Sequence, residues 1–260
     1  MGILNVTPDS FADGGRFLAP EQAVEHGLAL LDAGADIVDV GGESTRPGAE
    51  PVGVEVELER VVPVVAELAR RRPQALLSVD TAKAEVAESA LGAGAVIVND
   101  VTAARDPAML PAVVRRSAGI VLMHMRGSPR TMQCETEYAD VVAEVHEFLG
   151  ARAADARSAG IPRGRILLDP GIGFGKDAEG NLCLLSALPD LASLGYGLVV
   201  GASRKSFIGA LSGDGVEERL AGSLAAIAGT VGLPGVLVRV HDVAATVQFL
   251  SVLAALRGAA

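Results

Sequence analysis

Ile166-Leu167-Leu168-Asp169-Pro170-Gly171 is a short apolar run that stops at a carboxylate, a proline and a glycine. The run does not alternate between apolar and polar residues, so neither face of a strand built from it is meant for water. A longer segment of helical period, 138–158, lies before it and another, 181–194, after it. The same alternation fills the chain. Strand candidates are 2–6, 37–41, 75–79, 96–98, 120–123, 166–168, 198–201 and 236–240. The remaining helical segments are 21–33, 54–71, 83–92, 108–117, 216–231 and, closing the chain, 243–256. Eight β/α units in 260 residues predict an α/β fold, a single (β/α)8 TIM barrel, with residues 1–260 as one domain. A doubly wound open sheet is the second architecture of this pattern. Four helix-to-strand junctions end in glycine: Asp32-Ala33-Gly34, Leu91-Gly92-Ala93-Gly94, Ser117-Ala118-Gly119 and Ser158-Ala159-Gly160. These read as left-handed helix ends on the face that carries stability.

Composition narrows the function classes. The net charge of −10 argues against non-specific nucleic-acid binding, which needs basic side chains to neutralise phosphate. Aromatic residues are 3% and hydrophobic residues 50%, so the core must come from Ala, Val, Leu and Ile. Cys134 and Cys183 have no metal-type spacing, and a reducing, cytoplasmic setting is expected. Asp9 and Asp13 interrupt the start, so no secretory signal is expected. The uncharged stretch 220–238 has the length of a membrane span, but Gly222, Gly229, Gly232 and Pro234-Gly235 break it. It reads as a buried helix followed by a buried strand, with no membrane partner.

Barrel chemistry gathers at the C-terminal strand ends. There the apolar runs give way to Asn5, Glu43-Ser44-Thr45, Asp80, Asn99-Asp100, His124, Asp169, Ser203-Arg204-Lys205 and Arg239-Val240-His241. One polar strand end is an ordinary N-cap; all eight together outline a polar cup. Asp80, Asn99 and Asp169 suit a planar heterocycle edge bearing N–H donors. Lys205, Arg239 and His241 supply positive charge on the last two strands, and Ser206 stands near a helix start that favours an anion. The chain has three lysines, Lys83, Lys176 and Lys205, and otherwise uses arginine. Asp39 reads as a structural polar group of the barrel interior, and Met123, Met125 and Met132 as packing. His26 and His146 read as helix residues without a role in the cup. No Ser-His-Asp set or zinc cluster stands out.

Seven segments, in order, carry a resemblance. They are 5–11, 41–48, 78–81, 99–101, 169–176 (Asp-Pro-Gly-Ile-Gly-Phe-Gly-Lys), 203–206 (Ser-Arg-Lys-Ser) and 239–242. Together the chain resembles the dihydropteroate synthases. A methyltetrahydrofolate–corrinoid methyltransferase-type pterin domain shares the Asp/Asn positions, and a non-catalytic pterin-binding paralogue is the other alternative. The resemblance implies condensation of 6-hydroxymethyl-7,8-dihydropterin diphosphate with 4-aminobenzoate, Mg2+ as cofactor, and a homodimer formed through the later helices. It implies Asp80, Asn99, Asp169 and Lys205 as the pterin set, and Thr45, Arg239 and His241 as diphosphate contacts. It further implies Asn5 as the metal ligand and Phe11, Pro47 and Ser206 as the aminobenzoate pocket. Loops 7–16 and 44–53 would then be lids. Ala12 and Thr102 stand where that family more often has serine.

Overall fold

The computed structural model describes residues 1–7, 19–45, 48–134 and 136–258. Eight strands form one sheet, in chain order, with every neighbouring pair parallel. They are β1 (Gly2–Asn5), β2 (Ile37–Gly41), β3 (Leu76–Asp80), β4 (Ile97–Asp100), β5 (Gly119–Met123), β6 (Ile166–Asp169), β7 (Gly197–Val200) and β8 (Val236–Val238). Just past β8, Val240 bridges Gly2 in parallel. The Ile3 N–H donates to the Val240 carbonyl at 3.0 Å, and the Val240 N–H to the Met1 carbonyl at 3.0 Å. All five residues of β2 are buried, as a strand covered on both faces requires.

The helices between the strands are α1 (Ala19–Asp32), α2 (Val54–Arg71), α3 (Ala84–Ala93), α4 (Met109–Arg115), α5 (Val141–Ser158), α6 (Ala178–Ser186), α7 (Leu188–Ala192), α8 (Ser206–Ser212) and α9 (Leu220–Ile227), with α10 (Val243–Gly258) last. On α2 the buried Val61, Val64, Val65 and Leu68 recur at helical spacing and turn one face to the sheet. Asp140 starts α5 by accepting from the backbone N–H groups of Val142 and Ala143, so this helix begins later than the apolar pattern predicts. Gly34, Gly94 and Gly160 take positive φ at their junctions, whereas in the fourth it is Ser117 that does so, at φ 52°.

Two expectations for helices need correction, and one helix, α8, was not expected. The segment 181–194 is two helices, α6 and α7, which break at Ala187 where Pro189 enters the first turn of α7. The segment 216–231 is α9 with a short 3-10 turn on either side. Helix α8 was too short to show a period. Within the uncharged stretch 220–238, β8 is half-buried rather than buried, and no helix of the described residues is long and apolar enough to cross a membrane.

Candidate active site

The register of the sheet assembles the cup. Asn5 pairs with Gly41, Gly41 with Asp80, and Asp80 with Asn99, so four strand ends share one line. Residues in register on neighbouring strands turn to the same face. A Cβ on Gly41 would lie 3.6 Å from Asp80 Oδ2 and 3.8 Å from Asn5 Oδ1, and glycine leaves that space open between them. Asp39, two residues earlier on β2, occupies the layer beneath and is 0% exposed.

Asp39 ties the cup together. Its Oδ2 accepts from Asn99 Nδ2 at 2.8 Å and from Arg239 Nε at 2.7 Å, while Arg239 Nη2 donates to Asp80 Oδ2 at 2.7 Å. A carboxylate only accepts, so the amide nitrogen of Asn99 must face Asp39 and its oxygen is free for a ligand. Burial works against the charge on Arg239, but the Asp39 and Asp80 carboxylates outweigh it and hold the guanidinium above its ordinary pKa. Burial pushes Asp80 up to about 7, although Arg239 pulls it down. Asp169, at the end of β6, is also raised by burial, against its hydrogen bond from the Gly171 N–H at 2.7 Å and the charges of Lys205 and Arg239. Both carboxylates therefore lack the solvation they would have in water, and a ligand bearing N–H donors would restore it.

Lys205 projects over the Phe174 ring, its ammonium 3.9 Å from the centroid. Burial, then the neighbouring Arg239, lowers it to about 8. His241 Nδ1 lies 3.0 Å from Ser203 Oγ, and burial with Arg239 lowers the imidazole to about 4. The positive charge expected of His241 is therefore absent at neutral pH, and the ring acts as a neutral hydrogen-bonding group. Arg204 turns aside at φ 58° to pair with Asp242 and Glu217. Ser206 is exposed at the first residue of α8, and Thr45 is half-buried in the loop after β2. Phe11 and Pro47 lie outside the described residues, as does most of the lid expected at 7–16.

Several groups were missed by the sequence reading. Asp39 is the structural polar group of the interior that was expected; its partners, Asn99 and Arg239, are what the sequence did not announce. Lys83 joins Glu57, 0% exposed on α2, to Glu43 in the loop after β2. Lys176 is buried inside the loop that follows β6. The signal was the scarcity of lysine: all three sit in or beside the cup. No group of three or more His, Cys, Asp or Glu side chains that could hold a metal occurs among the described residues. Asn5 Oδ1, facing the gap above Gly41, is the hard oxygen donor that fits Mg2+, whose further oxygens would come from phosphate and water.

The Pterin binding enzyme family matches residues 1–241. The dihydropteroate synthase of Escherichia coli (strain K12) is 46% identical over 255 residues, spanning 98% of this chain and 90% of that protein. The chain belongs to the dihydropteroate synthases. Within this family, the Xanthomonas albilineans dihydropteroate synthase solved with 4-aminobenzoic acid superposes with a TM-score of 0.93 at 50% identity, covering 99% of this chain and 92% of that one. The same organism's dihydropteroate synthase in complex with 7,8-dihydropteroate gives a TM-score of 0.88 at 47% identity, with 99% and 92% covered.

Proposed function

We propose that this chain condenses 6-hydroxymethyl-7,8-dihydropterin diphosphate with 4-aminobenzoate to give 7,8-dihydropteroate and diphosphate. One observation carries the reading: buried acceptors Asp80, Asn99 and Asp169 gather with the shielded cations Lys205 and Arg239 at the strand ends. The acceptors suit the N–H edge of the pterin, and the cations the charged leaving group.

The arylamine is neutral at pH 7, so its lone pair attacks without a strong base. Its nitrogen bonds to the pterin methylene, the carbon–oxygen bond to diphosphate breaks, and the surplus proton passes to water. Asp169, Asp80 and the Asn99 oxygen orient the ring, and Lys205 borders it. Arg239 keeps Nη1 outside its two ion pairs and, with Thr45 and the neutral His241, meets the diphosphate. Mg2+, held through Asn5, would neutralise charge on the departing diphosphate. Phe11, Pro47 and Ser206 are assigned to 4-aminobenzoate.

The same reading makes residues 1–260 one domain and the sheet a closed (β/α)8 barrel, supported by the Gly2–Val240 bridge. A homodimer through the later helices is supported by Leu211 on α8 and by Val252 and Leu256 on α10, which are 61, 56 and 65% exposed. A cytoplasmic setting accords with the unpaired Cys134 and Cys183. The test is to mix the chain with pterin diphosphate, 4-aminobenzoate and Mg2+ and follow dihydropteroate by mass spectrometry. Product is expected; its absence with a folded chain overturns the reading.

A further inference from the structure

Resting on the function proposed above, we infer that Lys176 is a positioning residue of the pterin subsite, acting through the loop 170–175 that shapes both Asp169 and Lys205. The Lys176 residue is buried, 3% exposed. Its ammonium donates to the carbonyl oxygens of Gly171 at 2.9 Å, Phe174 at 2.9 Å and His124 at 3.2 Å, and lies 3.0 Å from His124 Nδ1. An ammonium carries three N–H donors and accepts nothing, so the His124 carbonyl and its Nδ1, both acceptors, share one of them. Burial, reinforced by the charge of Lys176, keeps His124 neutral, with its pKa lowered to about 3.

Carbonyl oxygens repel one another, and three of them converge here. Without Lys176 at their centre the three would lose the donor they share, and the His124 and Phe174 carbonyls would be left facing each other inside the fold. Each consequence of the closure reaches the pterin set. Gly171, held by its carbonyl, aims its N–H at Asp169 Oδ1 at 2.7 Å. Its φ is +69°, and a Cβ there would come within 1.9 Å of the His124 carbonyl oxygen, so the approach requires glycine. Phe174, held by its own carbonyl, presents its ring to the Lys205 ammonium. Between them Gly173 lies against the Lys205 stem, where a Cβ would stand 2.9 Å from Cδ. The far side of the loop is fixed by Asn181 Oδ1, which accepts from the Gly173 N–H at 2.6 Å, and by Tyr138, whose hydroxyl donates to the Gly175 carbonyl at 2.7 Å. Lys176, which burial lowers to about 7, is thus the internal hydrogen-bond donor of a backbone template, and the template sets the distance between the carboxylate and the ammonium that grip the pterin.

The test compares the parent chain with Lys176→Met, which keeps length and loses the ammonium, and with Phe174→Leu, which leaves the ammonium and removes the ring under Lys205. Steady-state kinetics with both substrates are run beside calorimetric binding of 6-hydroxymethylpterin. For Lys176→Met, the KM for pterin diphosphate and the Kd for 6-hydroxymethylpterin are each expected to rise at least tenfold, with the KM for 4-aminobenzoate within twofold of the parent. A purely structural role would instead lower kcat through the folded fraction and leave both KM values in place, and that result overturns the proposal. If Lys176→Met does not fold, Phe174→Leu decides: a rise in the pterin KM alone supports the template, and an unchanged pterin KM overturns it. A parent chain that neither binds the pterin nor turns over overturns the function itself. An active parent beside an unimpaired Lys176→Met overturns only the role of Lys176.

Discussion

Asp39→Ala tests how the cup is wired. The substitution removes the acceptor that Asn99 and Arg239 share at 2.8 and 2.7 Å. Hydrogen bonds to a charged group contribute about 1.5–3 kcal/mol each. Against that loss stands the relief of Asp39 Oδ1, a buried oxygen without a hydrogen-bond partner, whose burial costs about 1–3 kcal/mol. Arg239 also keeps Asp80 as a counter-charge, so the full cost of orphaning a buried ion, about 3–5 kcal/mol, is not reached. The balance is a destabilisation of about 1–4 kcal/mol, or a fall in Tm of about 2–15 °C for a chain of this size. Urea unfolding read by circular dichroism measures the first, and calorimetry the second. A double-mutant cycle with Arg239→Met should return a coupling of at least about 0.5 kcal/mol, since the two side chains touch. Additive losses, or an Asp39→Ala chain within about 1 kcal/mol of the parent, would refute the wiring.

Further outcomes follow from the same geometry. Asp169→Ala should weaken pterin binding by about 1–3 kcal/mol, roughly 5- to 150-fold, because it leaves ligand donors unpaired; equal calorimetric affinity contradicts the assignment. His241 is held at about 4 in the fold and titrates near 6.5 when unfolded, so its neutral state contributes stability above about pH 6.5 that is lost as the pH falls toward 4. His241→Asn should therefore lose less stability than the parent between pH 6.5 and 4 in urea unfolding, and matching slopes would show a freely titrating imidazole. Lys83→Met leaves Glu57 buried without its cation, and chemical unfolding should show a loss of about 3–5 kcal/mol; a neutral result would mean that the fold does not depend on this ion pair. Aminobenzoate should bind weakly alone and more tightly with Mg2+ and diphosphate present, and equal affinities in titration calorimetry would indicate a pocket formed in advance.

The strands were legible because a strand covered on both faces leaves an uninterrupted apolar run, as at 37–41, where expected and observed bounds coincide. Asp80, Asn99 and Asp169 were legible because each ends such a run at the polar rim. What escaped depends on partners far apart in the chain. Asp39 meets Arg239 across 200 positions, and no local pattern announces that pair. Lys176 looks like any lysine after a glycine-rich loop until the backbone folds its carbonyls inward. The charge state of His241 likewise follows first from burial, which the sequence does not display, although Arg239 stands two positions before it. Helices α6 and α7 read as one because Pro189 is compatible with the first turn of a helix, and only the break at Ala187 tells that a new one starts.

The cup joins an arylamine to a pterin while releasing diphosphate. The stoichiometry of that reaction tests it: dihydropteroate formed and diphosphate released are followed together with Mg2+ present. One diphosphate is expected for each dihydropteroate, with both falling away when 4-aminobenzoate is omitted. Diphosphate released at the same rate without 4-aminobenzoate, or with no dihydropteroate formed, would contradict it.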